Sequence, residues 1–461
     1  MAIYHKPETG VCADFIPFYE NGKYYLFYLL NSLDWFSPFE TWSKGVPWCL
    51  WETEDFVNFE DKGVILPKGS RVDHYLFNFT GSVIKKDDTY HIFYTGHNPL
   101  MTDKFGYVEC ILHATSKDLH NWERDELFIS TYTEGYSKYD WRDPYVFWND
   151  EFNEYWMLTC SIRDTQKPFA YSGITGLLTS PDLNEWTVQE PIFEPNFSHS
   201  HECPDMFRIG DWWYLVYSDT INSHTRYAMS KSSKGPWIIP KNDFFDGETF
   251  YAAKTAGDGN KRYIFGWLRE RWEEFHRVRG NLAGYGWGGK LAVYEIVQNN
   301  DGTLSTKIPD SICQAFTKEL PLENKVIFES DYYSSLTQIY ERKDKSPLML
   351  DLDIVLGKAR EAGVFVGHHD FDQTFSFKIN RNEGRVYMSY RDKLQNQMFV
   401  SPVPDLFNLK VILDDDCFVC YYNNETVISE RVYDCHNMKF DKIGLFKTGN
   451  AEFKNVKLRT I

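Results

Sequence analysis

Three acidic residues, Asp14, Asp143 and Glu202, occupy matching places in three separate stretches of the chain. Each acid precedes a short apolar run, then a turn, and then a run rich in aromatic residues. The stretches read VCADFIPFYENGKYYLFY, YDWRDPYVFWND and SHSHECPDMFRIGDWWYLVYS. A carboxylate at the edge of a buried strand costs free energy unless it is paired or used in chemistry. Because the three acids share one register, we expect them to meet in one site.

Hydrolysis of a glycosidic bond is the chemistry that such a set of carboxyl groups fits. One carboxylate attacks the anomeric carbon or activates a water, and one protonated acid feeds the leaving oxygen. A third acid can hydrogen-bond ring hydroxyls while positive charge builds on the sugar carbon. Burial and crowding raise the pKa of one carboxyl group and keep it protonated near neutral pH. Taken singly, each acid could instead cap a turn or pair with a neighbouring arginine.

A repeat in the first 310 residues positions these acids. Aromatic β-type runs recur at KYYLFYLL, TYHIFYTG, EYWMLTC, WWYLVYS and RYIFGW. Several are followed by a strand, a tight turn and an aromatic residue that tucks back under the sheet, as in ATSKDLHNW and LTSPDLNEW. The units are about 50 to 65 residues apart, a spacing that suits four-stranded sheets. The pattern predicts an all-β chain that begins with a five-bladed β-propeller, whose inner strands would bring the acids to a central funnel.

The repeat is lost toward residue 307, and we expect a second domain beyond it. A turn at Asn299 to Gly302 is followed by a predicted helical segment from about Pro309 to Phe316. Alternating strands then follow, separated by Gly, Asn and Asp turns, which is the pattern of a β-sandwich. The predicted division is a propeller at 1–307, a connector at 308–318 and a sandwich at 319–461.

Composition narrows the classes of partner. The 461 residues carry a net charge of −17, from 49 basic and 66 acidic residues, with no basic stripe for nucleic acid. No apolar run approaches the length of about 18 residues that a membrane helix needs. The start of the chain shows no secretory signal, and the nine scattered cysteines fit reduced thiols. We therefore expect a cytoplasmic protein with a small-molecule partner, without nucleic acid or membrane, and with homo-oligomerisation left open.

The segments around the acids resemble glycoside hydrolase family 32, the invertase, levanase and inulinase group. RDP at Arg142–Pro144 and ECPD at Glu202–Asp205 look like signatures of that family. FTGS at Phe79–Ser82 is similar to its substrate-lining FSGS, and FYAAKT from Phe250 and WGGKLAVYEIVQNNDGTL from Trp287 match further segments. The resemblance spans nearly the whole chain, and it implies a five-bladed propeller followed by a sandwich.

The resemblance also implies roles for individual residues. Asp14 would be the nucleophile, Glu202 the general acid/base and Asp143 the stabiliser of the transition state. Arg142 would orient these neighbours and hold sugar hydroxyls. The implied reaction is hydrolysis of a fructofuranosidic bond in a small oligosaccharide with retention of configuration, without a metal or organic cofactor.

Further substrate-binding residues are expected around the acids. Phe79 and Ser82 follow from the resemblance, and sugar CH faces also stack on aromatic rings. The aromatic candidates for the pocket wall are Trp48, Tyr251, Trp267 and Trp287, each of which could equally be packing within the sheets. His199 and His201 form an H-x-H motif without partners at metal-ligand spacing, so we expect local hydrogen bonds there rather than a metal site.

The chain departs from the family pattern at positions that normally hold sugar hydroxyls. Ala13 and Phe15 replace an asparagine and a proline, Leu29 stands where a glutamine is expected, and Thr249 replaces an acid. Losing a hydrogen bond built for the substrate can alter substrate choice by orders of magnitude. Two alternatives stay open: an inverting furanosidase of the arabinofuranosidase or xylosidase kind, in which Asp14 is a general base, and a carbohydrate-binding protein without catalysis.

Overall fold

The computed structural model describes residues 2–31, 45–164, 171–271, 285–329, 334–368, 374–390, 393–432 and 440–461. In these ranges nearly all regular structure is antiparallel β-sheet, which confirms the predicted all-β class. The helical segments are short: a 3-10 turn at Pro99–Met101, α1 at Thr102–Phe105 and α2 at Asp310–Ala315. No helix in the described ranges is long and apolar enough to cross a membrane.

The N-terminal strands form four sheets. The largest sheet contains β1 (Val11–Glu20), β2 (Lys23–Asn31), β3 (Trp48–Thr53), β4 (Glu60–Leu66), β16 (Phe250–Gly257), β17 (Arg262–Arg271), β18 (Tyr285–Gln298) and β19 (Leu304–Lys307). The second contains β5 (Phe77–Lys86), β6 (Thr89–His97), β7 (Glu109–Ser116) and β8 (Trp122–Ser130). The third contains β9 (Tyr136–Asn149), β10 (Glu154–Arg163), β11 (Gly173–Ser180) and β12 (Thr187–Phe193). The fourth contains β13 (His201–Ile209), β14 (Trp212–Asp219) and β15 (His224–Ser230).

Five strands contact one another in a closed ring, and three of them carry the predicted acids. β1 contacts β5, β5 contacts β9, β9 contacts β13, β13 contacts β16, and β16 contacts β1. We call these five the inner strands. β1 also pairs with β18 at Cys12 and Gly289, which joins the first repeat unit to the last within one sheet.

The repeated turns have the geometry that their residues predict. Asn21 and Gly22, both with positive φ (52° and 85°), form the two-residue turn between β1 and β2. In the turn between β7 and β8, the Ser116 hydroxyl accepts the Leu119 N–H at 3.0 Å, and the Trp122 indole N–H donates to the Leu119 carbonyl at 3.0 Å. The same bonds recur at Ser180, Leu183 and Trp186. The aromatic residue of the motif therefore does tuck back onto its own turn.

The C-terminal strands form two sheets that share one hydrophobic core. One sheet contains, in spatial order, β20 (Lys318–Leu320), β32 (Glu452–Thr460), β23 (Leu348–Val355), β28 (Leu406–Asp414), β29 (Cys417–Tyr422) and β30 (Thr426–Arg431). The other contains β21 (Lys325–Glu329), β22 (Ser335–Glu341), β31 (Phe440–Lys447), β24 (Glu361–His368), β25 (Thr374–Asn380), β26 (Arg385–Tyr390) and β27 (Lys393–Phe399).

The first of these two sheets also packs on the N-terminal core. Its outer face contributes Met349, Ile412 and Tyr421 to the N-terminal hydrophobic cluster. The Asp414 carboxylate accepts the backbone N–H groups of Ile3 and Tyr4 at 2.6 and 2.9 Å. The two parts of the chain are thus held together by apolar contact and by buried hydrogen bonds.

Candidate active site

The five inner strands are all irregular at the level of the acidic residues. The strand register shifts at Ala13/Ile16 in β1, Phe79/Gly81 in β5, Arg142/Tyr145 in β9, Glu202/Asp205 in β13 and Tyr251/Lys254 in β16. Positive φ values accompany four of these bulges, at Asp14 (35°), Asp143 (59°), Cys203 (52°) and Ala252 (50°). A bulge takes a side chain out of the strict alternation of a strand. Left-handed backbone in non-glycine residues is strained and is typically retained at functional sites.

Asp14 is held by side chains from two other strands. Its Oδ2 accepts the Thr80 hydroxyl at 3.1 Å, and its Oδ1 accepts the Trp267 indole N–H at 3.2 Å. Burial, together with the charges of Asp143 and Glu202, raises the pKa of Asp14 to about 7, although both hydrogen bonds oppose the shift. The carboxyl group is therefore fixed in orientation and carries a proton more readily than an ordinary aspartate.

Asp143 is buried, with only 4% of the residue exposed. Its Oδ2 accepts the Cys203 backbone N–H at 2.9 Å, and its own N–H donates to the Thr95 hydroxyl at 2.8 Å. Burial raises the pKa of Asp143 to about 6; Arg142 opposes this increase and Glu202 adds to it. The bond to Cys203 links Asp143 directly to the segment that carries Glu202.

Glu202 is held at both carboxylate oxygens. Arg142 donates to Oε1 at 3.1 Å, and the Tyr251 hydroxyl donates to Oε2 at 2.7 Å. The Glu202 side chain is 28% exposed, compared with 6% for Asp143, so Glu202 is the more accessible of the two to a bound molecule.

Arg142 lies among four carboxylates. Its Nη1 donates to Asp140 at 2.5 Å and to Glu109 at 3.4 Å, its Nη2 donates to Glu202, and its Nε is 3.9 Å from Asp143. Arg142 and His97 lower the pKa of Glu109 although its burial opposes this, so Arg142 compensates the buried charge beside it. The structure therefore brings together the three acids and the arginine that the sequence singled out.

The N-terminal part of the chain matches a known family. The model of the glycosyl hydrolases family 32 N-terminal domain matches residues 6–306. The chain belongs to glycosyl hydrolase family 32. This confirms the predicted resemblance and the predicted class of enzyme, a glycoside hydrolase.

Two curated relatives and one solved structure show a distant similarity to this chain. A sucrose-6-phosphate hydrolase from Escherichia coli is 26% identical over 62% of this chain and 59% of its own length. A levanbiose-producing levanase from Bacillus subtilis (strain 168) is 24% identical over 96% of this chain and 87% of its own length. The solved structure of fructan 1-exohydrolase IIa from Cichorium intybus shares the fold, with a TM-score of 0.76, 16% identity, and coverage of 99% of this chain and 96% of that one.

The aromatic candidates for the pocket wall fall into two groups. Phe79 and Trp287 are partly exposed, with their rings 5.7 Å apart, and they remain candidates for contact with a sugar. Tyr251 and Trp267 are buried and pack edge to face at 5.8 Å. Because their polar atoms bond Glu202 and Asp14, these two residues position the acids.

Trp48 and Ser82 do not have the surroundings expected of a sugar-binding wall. Trp48 has no exposed surface, and its indole N–H donates to the Phe79 carbonyl at 3.1 Å. Ser82 is 3% exposed, and its hydroxyl accepts the Val146 N–H at 2.8 Å. Trp48 therefore packs behind Phe79, and Ser82 joins β5 to β9. The residue of the FTGS segment that reaches Asp14 is Thr80.

Three side chains beside Arg142 and Asp14, those of Glu109, Asp140 and Thr80, were not found from the sequence. Glu109 lies in β7, where it appears as an ordinary strand residue, and its carboxylate is also 3.2 Å from His97 Nδ1. Asp140 lies two residues before Arg142, and that spacing was the available signal for their ion pair. Thr80 was inside a recognised motif, but a simple two-residue alternation does not show which side chain of a bulged segment faces the site.

The two histidines beside Glu202 form local contacts, as predicted. His201 is fully buried, with Nδ1 3.3 Å from the Thr175 hydroxyl, and burial lowers its pKa to about 3. His199 Nδ1 lies 2.7 Å from the Ser200 hydroxyl. Among the residues that the structure describes, no group of three or more His, Cys, Asp and Glu side chains is arranged for a metal ion.

The departures from the family 32 pattern are accommodated by packing. Ala13 and Leu29 are paired across β1 and β2, and neither has exposed surface. The Thr249 hydroxyl is buried and donates to Glu430 at 3.4 Å, toward the C-terminal sheets. None of these three side chains is placed to replace a lost contact with a sugar hydroxyl.

Proposed function

We propose that the protein is a retaining hydrolase that cleaves a fructofuranosidic bond in a small oligosaccharide. Asp14 is the nucleophile, Glu202 the general acid/base and Asp143 the stabiliser of the transition state. The observation that carries the proposal is the electrostatic coupling of Asp14 to Asp143 and Glu202, with Arg142 beside the last two, in a chain of family 32.

The contacts suit a double displacement. Thr80 and Trp267 each donate to one oxygen of Asp14, and each oxygen keeps a second lone pair with which to attack the sugar carbon. Glu202 gives its proton to the leaving oxygen and later takes one from the water that releases the sugar. Arg142 and Tyr251 fix the Glu202 carboxyl group during both steps.

Glycoside hydrolysis needs one protonated carboxyl group, and the acid cluster keeps a proton near neutral pH. With pKa values of about 7 for Asp14 and about 6 for Asp143, the cluster takes up a proton close to neutral pH. Interacting carboxyl groups titrate as a set, so that proton belongs to the cluster rather than to one residue. Retaining hydrolysis needs that proton on Glu202 while Asp14 is ionised.

We further infer that the N-terminal unit is a five-bladed propeller at 1–307, joined by a connector at 308–318 to a sandwich at 319–461. The cyclic contacts of the five inner strands support five blades, and the β1–β18 pairing supports closure of the ring. Eight cysteines in the described ranges are free thiols, seven of them buried, which supports a reducing compartment such as the cytoplasm.

The roles of the acids can be tested with two variants and two kinds of substrate. Glu202→Gln should abolish turnover of natural saccharides and spare an aryl fructofuranoside with a very good leaving group, since that leaving group needs no proton. Asp14→Asn should lose at least about 10³-fold on both, because the lost nucleophile is not replaced. Equal losses on both substrates for Glu202→Gln would contradict its role as acid.

Substrate and stereochemistry need separate measurements. The panel is sucrose, inulin- and levan-type oligomers, difructose anhydrides and pentofuranosides. NMR of the first product anomer should show retention, whereas inversion would make Asp14 a general base. Affinity for sugars without turnover on the whole panel, unchanged by Asp14→Ala, would instead show a binding protein.

A further inference from the structure

Lys254 is a buried cation that the proposed mechanism leaves without a role. It lies at the bulge of β16, three residues after Tyr251, and 1% of the residue is exposed. The titratable and charged groups that face it are Asp14 from β1, Asp143 and Tyr145 from β9, Cys203 and Asp205 from β13, and Arg262 from β17. Burying an ammonium group is expensive unless it is hydrogen-bonded and compensated by charge.

The ammonium group of Lys254 holds the segment between two of the acids. Its Nζ donates to the Pro204 carbonyl at 2.9 Å, within the bulge of β13. The preceding residue, Cys203, donates its N–H to Asp143, and Glu202 comes just before it. The next residue along β16, Thr255, donates its N–H to the Asp205 carboxylate. Two adjacent residues of β16 therefore fix the segment that carries Glu202 and binds Asp143.

The far side of Lys254 borders a small polar cavity. The cavity has a volume of about 160 Å³ and is lined, among others, by Ser82, Tyr145, Thr255 and Arg262. Lys254 itself lines this cavity, and its charge also acts on Asp143. The ring of Tyr145 adds a favourable surface, with its centroid 5.1 Å from Nζ.

We propose that Lys254 is a positioning residue for the catalytic acids, which holds the β13 bulge and supplies a fixed positive charge on the inner side of Asp14 and Asp143. The role rests on the proposed function of those acids. A nearby cation favours the ionised form of a carboxyl group, so removing it makes the cluster harder to ionise. Burial lowers the pKa of Lys254, and the carboxylates of Asp205, Asp143 and Asp14 oppose that shift.

The test follows ionisation of the cluster without requiring turnover. The protein is labelled with 5-fluorotryptophan, and the ¹⁹F signal of Trp267, assigned with Trp267→Phe, is titrated between pH 4 and 9. Trp267 is the reporter because its indole N–H bonds the Asp14 carboxylate. In Lys254→Met the midpoint should rise by about one pH unit, about tenfold in the ionisation constant. The acid limb of kcat/KM for sucrose should move in the same direction.

Matched variants separate charge from packing. Lys254→Arg keeps the charge and should keep the midpoint within about 0.3 pH units of the wild type. Lys290→Met removes another buried ammonium group, one paired with Asp415 and Asp416, and should leave the midpoint unchanged. If Lys254→Met does not fold, Lys254→Gln takes its place, since it retains a donor for Pro204 and removes the charge.

An unchanged midpoint in a folded Lys254→Met or Lys254→Gln protein overturns the proposal, as does an equal shift in Lys254→Arg. If the wild-type protein hydrolyses nothing on the saccharide panel and the midpoint still shifts in Lys254→Met, the role of Lys254 is supported and the proposed function is refuted. The two failures are therefore distinguishable.

Discussion

Replacing Asp14 by asparagine should stabilise the protein, and the gain should grow with pH. Burial and two neighbouring carboxylates raise the pKa of Asp14 from 3.8 to about 7. Because the folded-state pKa is the higher one, ionised Asp14 destabilises the fold. This cost is absent below about pH 3.8, increases as pH rises, and is complete above about pH 7.

The magnitude follows from the size of the pKa change. Each pKa unit corresponds to about 1.4 kcal/mol, so the cost of ionised Asp14 is about 4 kcal/mol at pH 8 and about 2 kcal/mol at pH 5. Asparagine has nearly the same shape and tolerates the positive φ of this position. Its amide can accept the Trp267 N–H and donate to the Thr80 hydroxyl, so both contacts survive.

Thermal unfolding at several pH values checks this expectation. For an N-terminal unit of about 300 residues, with an unfolding entropy of about 2.1 cal/mol/K per residue, Asp14→Asn should raise Tm by about 6 °C at pH 8 and about 3 °C at pH 5. Asp211→Asn, in the exposed turn between β13 and β14, is the matched control. A gain that does not vary with pH, or a loss of stability, would show that the Asp14 carboxylate is well solvated or neutralised in the folded protein.

Two further variants test individual contacts. Tyr251→Phe removes the donor to Glu202 and keeps the ring contact with Trp267. Because hydrogen bonds to charged groups contribute about 1.5–3 kcal/mol, kcat/KM should fall about 10- to 100-fold, and the free energy of unfolding should fall by no more than that amount. Unaltered kinetics would mean that Tyr251 does not hold Glu202, the proposed acid/base. Ser82→Ala leaves the buried Val146 N–H without its acceptor, which costs about 1–3 kcal/mol in denaturant unfolding, and it should leave kcat/KM unchanged. A loss of activity at preserved stability would return Ser82 to the sugar pocket.

Much of the fold could be predicted because the relevant information is local. The turn at Asn21-Gly22 and the bonded turns around Ser116 and Ser180 depend on residues within four positions of one another. Short-range patterns of this kind are determined by backbone geometry and turn chemistry.

The candidate site was predictable only for residues that share the repeat. Asp14, Asp143 and Glu202 could be selected because they stand at equivalent positions of similar segments. Glu109 and Lys254 have no counterpart in that pattern, and only the fold brings them next to the acids. Aromatic residues such as Trp48 gave an ambiguous signal, since a sugar-binding wall and a packed core use the same side chains.

The FTGS segment shows how the bulges, rather than the acids alone, define the site. Phe79 pairs with Thr95 and Gly81 with Tyr94, so Thr80 is the extra residue of the bulge and points out of register toward Asp14. A Cβ atom on Gly81 would lie 2.1 Å from the Phe93 carbonyl oxygen, closer than any side chain can approach. Glycine at this position therefore lets the two strands pair closely beside the bulge, which in turn orients Thr80. The bulges of β9 and β13 also depend on each other. The N–H of Cys203 donates to the Asp143 carboxylate, and both residues have positive φ. The geometry of the acids is thus a property of several bulged strands packed together, and a change at one bulge should be felt at the others.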